Sequence, residues 1–278
     1  MIWEIFNLKN QSELPLFLSI DSSLLFLIIS LFCLYFDKRT LNYSLLWLKP
    51  FKFSISTLLY SSTLLYIIKN IQISKQIEIA NWIIFLGLFY ELFIIFLQAF
   101  RGKMSHFNHT TILDSLLFQS MGFVILIVWL MLIPYLINSF SFTKSEIIQR
   151  LGIQWGLGIC FFTMPFAFVM PSPKNNQLEL ITKNNSPIGL IIGSNTIHEK
   201  DTSQRMPLTS WALTGGDLRI SHFFGLHSLQ VFPILGNILL KSNISYSEYI
   251  LHLIAISYLI FCIYTFQQAL KGIPLFKI

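Results

Sequence analysis

The amino-acid sequence predicts an all-α polytopic membrane bundle of about seven transmembrane helices, and three observations carry that expectation. Charge is scarce: Asp, Glu, Lys and Arg make up 12% of 278 residues, against about 25% in soluble domains. Apolar residues supply 54% and aromatic residues 15%, with a mean hydropathy of +0.65. A soluble fold needs a polar shell that these side chains cannot provide, so the outer surface must meet lipid. Finally, the apolar residues gather into long runs. A hydrocarbon core about 30 Å thick is crossed by a helix of about 20 residues, and the runs 15–36, 51–69, 80–100, 112–138, 147–170, 221–240 and 246–270 meet or approach that length.

The first run is interrupted by Asp21. Followed by Ser22 and Ser23, Asp21 reads as an N-cap that starts this helix late and leaves 15–20 at the interface. Residues 1–8 are expected to form a short interfacial amphipathic segment. Glu4 and Glu13 and the lack of a basic n-region argue against a cleaved signal peptide, so the first helix is expected to do the targeting. Pro134, Pro165 and Pro233 fall inside runs and are expected to kink their helices. Cys33, Cys160 and Cys262 also lie in apolar runs, without metal-ligand spacing or a disulfide framework.

The chain reads as a single integral membrane domain, 1–278, with one long extramembrane loop, 171–220. Within that loop the β-prone runs 178–182 and 188–192 flank Lys183, Asn184, Asn185, Ser186 and Pro187, which predicts a small β-hairpin between the fifth and sixth helices. Trp211 and Leu213 suggest that the loop folds back over the bundle.

The net charge is +6, but the basic residues are dispersed between apolar runs and form no nucleic-acid patch. The expected partner is the lipid bilayer, with a small-molecule or ion ligand in addition and no nucleic acid. Seven spans put thirteen Lys and Arg on one face and six on the other. The positive-inside rule then expects the N-terminus outside and the C-terminus in the cytoplasm.

Polar residues gather where the third-to-fourth loop and the long loop share a face. His106, His109, His198, His222 and His227 lie there, and His252 lies opposite. Bland roles are available for many of them. Thr111-x-x-Asp114 fits a capping box, Asp217 or Ser221 can cap the sixth helix, Gly215-Gly216 suits a turn, and Arg101 and Arg219 suit interfacial anchors. His106 and His109 can be solvated loop residues. His227 and Gln230 are spaced i, i+3 on one helix face, one to two turns inside. Glu91 and Gln98 are spaced i, i+7 on the third helix, and a carboxylate near mid-span must be protonated, paired or wet. With Arg101 and Asn108 these residues outline a polar lane, to which Gln119 and Gln154 add. Glu91, Asp114, Asp217 and Arg219 are the candidate catalytic residues.

The stretch from Gln98 to Asn108, Q-x-x-RG-x-x-SHFN, and that from Gly216 to Gln230, GDLR-x-x-HF-x-GLH-x-LQ, resemble an uncharacterised family of bacterial multi-pass membrane proteins. His198 and Trp211 belong to the same pattern. The resemblance spans the middle half of the chain and implies a bacterial inner-membrane location without assigning an activity.

Three functions compete. A divalent metal or haem could be held by His106, His109, His198, His222 or His227 with Asp114 or Asp217, making a membrane enzyme. His106 and His109, i and i+3, can share an ion. His222 and His227, about 140° apart on a regular helix, cannot. There is no HExxH and no haem-attachment motif. A small-solute transporter or channel would use Glu91, Gln98, Gln119, Gln154, His227 and Gln230. A non-catalytic sensor or assembly protein would use the long loop as its partner surface. Retinal chemistry is excluded, because 246–270 contains no lysine for a Schiff base. The transport and enzyme readings both expect His106, Arg219 and His227 to converge at one membrane-edge pocket.

Overall fold

The computed structural model describes residues 12–41, 44–141, 147–201, 204–207, 209–242 and 244–276. Seven helical segments are long and apolar enough to cross a membrane, as the runs predict: Leu14–Phe36, Leu48–Ile68, Lys75–Phe100, Ile112–Asn138, Ile147–Val169, Leu218–Ser242 and Ser247–Leu270. The chain is a multi-pass, all-α membrane protein. Its helices fall into two compact units, one within 1–106 and 116–145 and the other within 107–115 and 146–278. The expected interfacial segment 1–8 lies outside the described residues.

In the first unit, α1 (Leu14–Phe36) carries Pro15 in its first turn and runs straight through Asp21, which is exposed. The late start expected at Asp21 is therefore corrected. Proline at a first turn forfeits no helical hydrogen bond, and the exposed Asp21 side chain leaves the backbone ladder intact. Ser19 instead faces α2 (Leu48–Ile68), where its hydroxyl meets that of Ser61 at 2.7 Å. Between these helices Thr40–Leu41 (β1) pairs with Ser44–Leu45 (β2). Asp37 accepts the Trp47 indole N–H at 2.7 Å and meets Arg39 at the same distance. Those two donors, Arg39 first, hold the Asp37 carboxyl well below the usual carboxylate range.

α3 (Lys75–Phe100) is the central helix of this unit. Its buried Asn81 receives the Tyr135 hydroxyl and donates to the Ser12 carbonyl at 2.8 Å. α4 (Ile112–Leu130) and α5 (Leu132–Asn138) form one span broken at Met131, three residues before Pro134. The proline ring cannot sit under a fourth preceding carbonyl, so the break is where it must be.

The second unit is built on α6 (Ile147–Thr163) and α8 (Leu218–Ser242), whose backbones nearly touch. A Cβ at Gly152 would lie 2.5 Å from the Phe232 carbonyl oxygen, and one at Gly236 would lie 2.9 Å from that of Ile148. The Ser228 hydroxyl donates to the Gly156 carbonyl at 3.0 Å. Small residues four apart are how membrane helices approach this closely. Pro165 ends α6 in a 3-10 turn, Met164–Val169, whereas Pro233 lies inside an unbroken α8. α9 (Ser247–Leu270) completes the unit, its Tyr258 hydroxyl donating to the Phe224 carbonyl at 2.8 Å.

The long loop does not contain the expected hairpin. Its first β-prone run is helical, in α7 (Asn175–Asn184), and Asn185 leaves that helix in the left-handed conformation with φ 48°. The second run supplies β4 (Leu190–Ile191), which pairs with β3 (Asn108–His109) ahead of α4. Leucine and unbranched polar residues favour a helix over 175–184 more than the isoleucines favour a strand. The loop's own antiparallel pair lies further on, between β5 (Thr196–Ile197) and β6 (Gly216–Asp217). The loop folds onto its unit, with Trp211 buried against Phe223 at a ring separation of 5.5 Å.

Close helix packing predicts a graded response to added methyl groups. Gly152→Ala should destabilise by about 1–3 kcal/mol, the usual cost of overpacking, read as a lower melting temperature in detergent. Gly158→Ala, where a Cβ meets nothing within 4 Å, should be neutral or mildly stabilising. Equal effects at the two positions would contradict the packing.

Candidate functional site

In the first unit the polar residues line one side of α3 and the turn that follows it. Gln98 is 1% exposed and Glu91 is 8% exposed, and the i, i+7 spacing puts them on one face. Arg101 ends the helix by donating to Gln98 Oε1 at 2.6 Å. Gly102 then turns the chain with φ 68°, a conformation glycine adopts without penalty. The Ser105 hydroxyl meets His106 Nδ1 at 3.2 Å, and the imidazole packs between the rings of Phe53 and Phe118 at 5.8 and 5.9 Å. Lys49, in the first turn of α2, acts electrostatically on both Glu91 and His106. Nothing in the spacing of the sequence pointed to Lys49, because it reads as an ordinary cationic helix flank.

Among the described residues Glu91 is the only acidic side chain with a buried atom that lacks a hydrogen-bond partner. Its Oε1 is buried without a hydrogen-bond partner among the described residues. Nearby Tyr90 is paired, its hydroxyl meeting that of Ser120 at 2.7 Å. Gln119, expected to face the interior, is exposed.

In the second unit most of the motif residues build structure. Asn108 Oδ1 accepts the Thr110 N–H at 3.1 Å and its hydroxyl at 2.7 Å. His109 Nδ1 meets the Ser115 hydroxyl at 2.7 Å. Thr111 Oγ1 accepts the Asp114 N–H at 3.1 Å and donates to Asp114 Oδ2 at 2.7 Å, so the predicted cap is formed. His109 and Asp114 are buried, which corrects the reading of His109 as a solvated residue. Half-buried His106 is likewise packed and not free in solvent. Burial lowers both imidazoles below their ordinary value, and Lys49 adds to the effect at His106.

Asp217 and Arg219 form the strongest polar group of this unit. The guanidinium lies side-on, Nε to Oδ1 at 2.9 Å and Nη2 to Oδ2 at 2.5 Å, with the Asp217 side chain fully buried. Asp217 also accepts the N–H groups of Ala212 at 2.9 Å and Arg219 at 3.0 Å, the latter capping α8. Arg219 reaches on to the Ser210 carbonyl at 2.5 Å, which Arg205 approaches at 3.3 Å. Arg205 in turn meets both Glu199 oxygens at 2.7 and 2.8 Å. Two acid–base pairs therefore converge on one carbonyl and tie the loop together. Gly215 and Gly216 do more than turn the chain: a Cβ at Gly216 would lie 2.0 Å from the Ala269 carbonyl oxygen. The Glu199–Arg205 pair was not legible in advance, because a six-residue spacing inside a loop carries no periodic signal.

On α8, His227 Nδ1 meets Gln230 Oε1 at 3.0 Å, as their spacing predicts, and the ring packs on Phe223 at 4.4 Å. His222 Nδ1 is buried without a hydrogen-bond partner among the described residues. His198 has φ 53° and packs against Gly272, and His252 accepts the Trp155 indole N–H at 2.9 Å. Of the three residues expected to converge, His106 belongs to the first unit and Arg219 and His227 to the second. Among the described residues, no three His, Cys, Asp or Glu side chains are grouped to hold a metal ion.

Comparison with known proteins gave no match among family models, curated proteins or solved structures.

The loop network predicts that Arg219→Met removes the donor shared by Asp217 and Ser210. Leaving a buried carboxylate short of partners costs about 1–3 kcal/mol, and limited proteolysis should become fast between 199 and 215. Unchanged cleavage would show that the network is ornamental.

The two neutral imidazoles predict a pH dependence. His106 and His109 are depressed in the fold, while unfolded histidine titrates near 6.5. The unfolded chain therefore takes up protons first as pH falls. Their stabilisation is complete above about pH 6.5 and is lost as pH drops below it toward the folded values. Melting temperature in detergent should fall between pH 7.5 and 5, and His109→Gln should flatten the slope.

Proposed function

We propose that this chain is a transport protein of the bacterial cytoplasmic membrane, with its C-terminus in the cytoplasm, in which Glu91 binds and releases a proton or a small cation. The observation that carries this reading is the buried Glu91 oxygen without a hydrogen-bond partner inside an apolar span, the only such carboxyl oxygen among the described residues. A carboxyl in hydrocarbon is tolerated when it holds a proton or a cation, and such groups mark ion pathways in membrane proteins. Gln98 and Arg101, at the end of α3, and Lys49, in the first turn of α2, supply polarity between Glu91 and the membrane edge. The excess of Lys and Arg on one side supports the orientation, and the likeness of the two motif segments to bacterial multi-pass proteins supports the location.

The motif residues of the second unit then have a supporting role. They hold the long loop over α8 and α9, while exchange takes place in the first unit.

Purified protein in liposomes with a trapped pH dye and an imposed potassium diffusion potential tests the proposal. The wild-type chain should dissipate or build a proton gradient, with Na⁺ and K⁺ compared in separate runs. Glu91→Gln should reduce the flux tenfold or more with unchanged melting temperature, and Glu91→Asp should retain part of it. Flux through Glu91→Gln equal to wild type would overturn the reading.

One observation favours a second reading, a metal- or haem-binding membrane enzyme: the unpartnered Nδ1 of His222. Metal analysis and an absorbance scan of protein purified without chelator decide it. Stoichiometric metal or a Soret band that His222→Ala removes would support it.

A further inference from the structure

Residues 170–194 leave the end of one span and return beside it. The Ser194 N–H donates to the Met170 carbonyl at 2.9 Å, closing the excursion one residue after the span ends at Val169. Its far side is tied down as well. β4 pairs with β3 three residues before Ile112 begins another span, and the Ile192 and Gly189 N–H groups donate to the Phe107 and His109 carbonyls at 3.0 and 2.8 Å. Gln177 staples α7 to the returning strand, donating to the Ile191 and Gly193 carbonyls at 3.1 and 3.3 Å and accepting the Gly193 N–H at 3.1 Å. The excursion is thus held at the end of the span Ile147–Val169.

α7 is amphipathic. At about 100° per residue, Leu178 and Ile181 lie about 60° apart on one side, next to the Gln177 side that is bonded to the returning strand. Asn176, Glu179 and Lys183 lie on the opposite side, and Leu180 is about 160° from Leu178. A soluble packing would cover the apolar side, yet no residue of α7 is buried. Leu178 and Leu180 are each 46% exposed, and beyond the helix Ile188 and Ile191 are 37% and 47% exposed. Phe168 and Val169, at the end of the span that leads into the excursion, are likewise 38% and 37% exposed.

We propose that 175–191 is an interfacial lipid-binding element: α7 lies in the plane of the membrane surface with Leu178 and Ile181 sunk toward the acyl chains. A helix of this kind has a polar face in water and an apolar face at the headgroup boundary. One feature selects lipid as the occupant: the Ser194–Met170 bond holds this exposed apolar side at the end of a membrane span. The element gives the long loop a fixed height over its own unit.

Nitroxide spin labels placed singly at Leu178, Ile181 and Asn176, in a Cys33→Ser, Cys160→Ala, Cys262→Ala background reconstituted in liposomes, test the proposal. Collision with oxygen should exceed collision with a water-soluble nickel chelate several-fold at 178 and 181, with the order reversed at 176. Equal nickel access at 176 and 178 would overturn the proposal. So would label–label dipolar broadening at 178, which would mean that a second copy covers this face. If the substituted background fails to fold, the wild-type chain is irradiated in liposomes containing a phospholipid with a diazirine near its headgroup. Adducts on the peptide spanning 175–191 are expected, and adducts confined to the span peptides would overturn the proposal.

Discussion

A hydrocarbon surround offers no hydrogen-bond partner, and most of this structure follows from that. Backbone groups are satisfied inside helices, which is why apolar runs of the right length become helices despite Asp21 in one of them and Pro233 in another. Side chains obey the same demand. Ser23 donates to the Ser19 carbonyl at 2.6 Å and Thr163 to that of Ile159 at 2.7 Å, and Asn81 is saturated by Tyr135 and Ser12. The helices of the second unit associate without a hydrophobic force between them. Contact there depends on Gly152, Gly156 and Gly236, which let dispersion and one hydroxyl–carbonyl bond act at short range.

Against that background an unsatisfied buried carboxyl oxygen stands out. Glu91 sits on the most buried span of the chain, where even its neighbour Tyr90 has found Ser120. The strongly charged residues of the motifs are, by contrast, fully engaged. Asp217, Arg219, Glu199 and Arg205 hold one another and the Ser210 carbonyl, which carries φ 61°. That non-glycine residue in the left-handed region is held there by the donors around it. The GDLR segment therefore serves as a clasp that caps α8 and pins the loop, while Gly216 lets the clasp lie directly on the α9 backbone.

The sequence shows the architecture more clearly than the site, for physical reasons. Span existence depends on summed hydropathy, a property of composition, and all seven runs appear as helices. The i, i+3 pair His227–Gln230 and the Thr111–Asp114 cap are local and equally legible. Partners distant along the chain are not. The electrostatic influence of Lys49 on Glu91, the bond of Asn81 with Tyr135, and β4 on β3 instead of within a hairpin all depend on tertiary placement, which has no periodic signature. The hairpin expectation failed because Leu178, Leu180 and Ile181 read as an alternating strand. Leu178 and Ile181 suit an amphipathic helix equally well, and one turn of additional polar flank decides for the helix.

The central claim is that the Glu91 carboxyl is left open for exchange while the Asp114 and Asp217 carboxylates are structural. Carbodiimide modification of the folded protein in liposomes tests it most directly, since the reagent partitions into the membrane and attacks a carboxylic acid that no internal partner holds. The account predicts one dominant adduct, mapped by mass spectrometry to Glu91, whose formation slows when the transported cation is added. Labelling of Asp114 or Asp217 in the folded protein, with Glu91 unreactive, would contradict it.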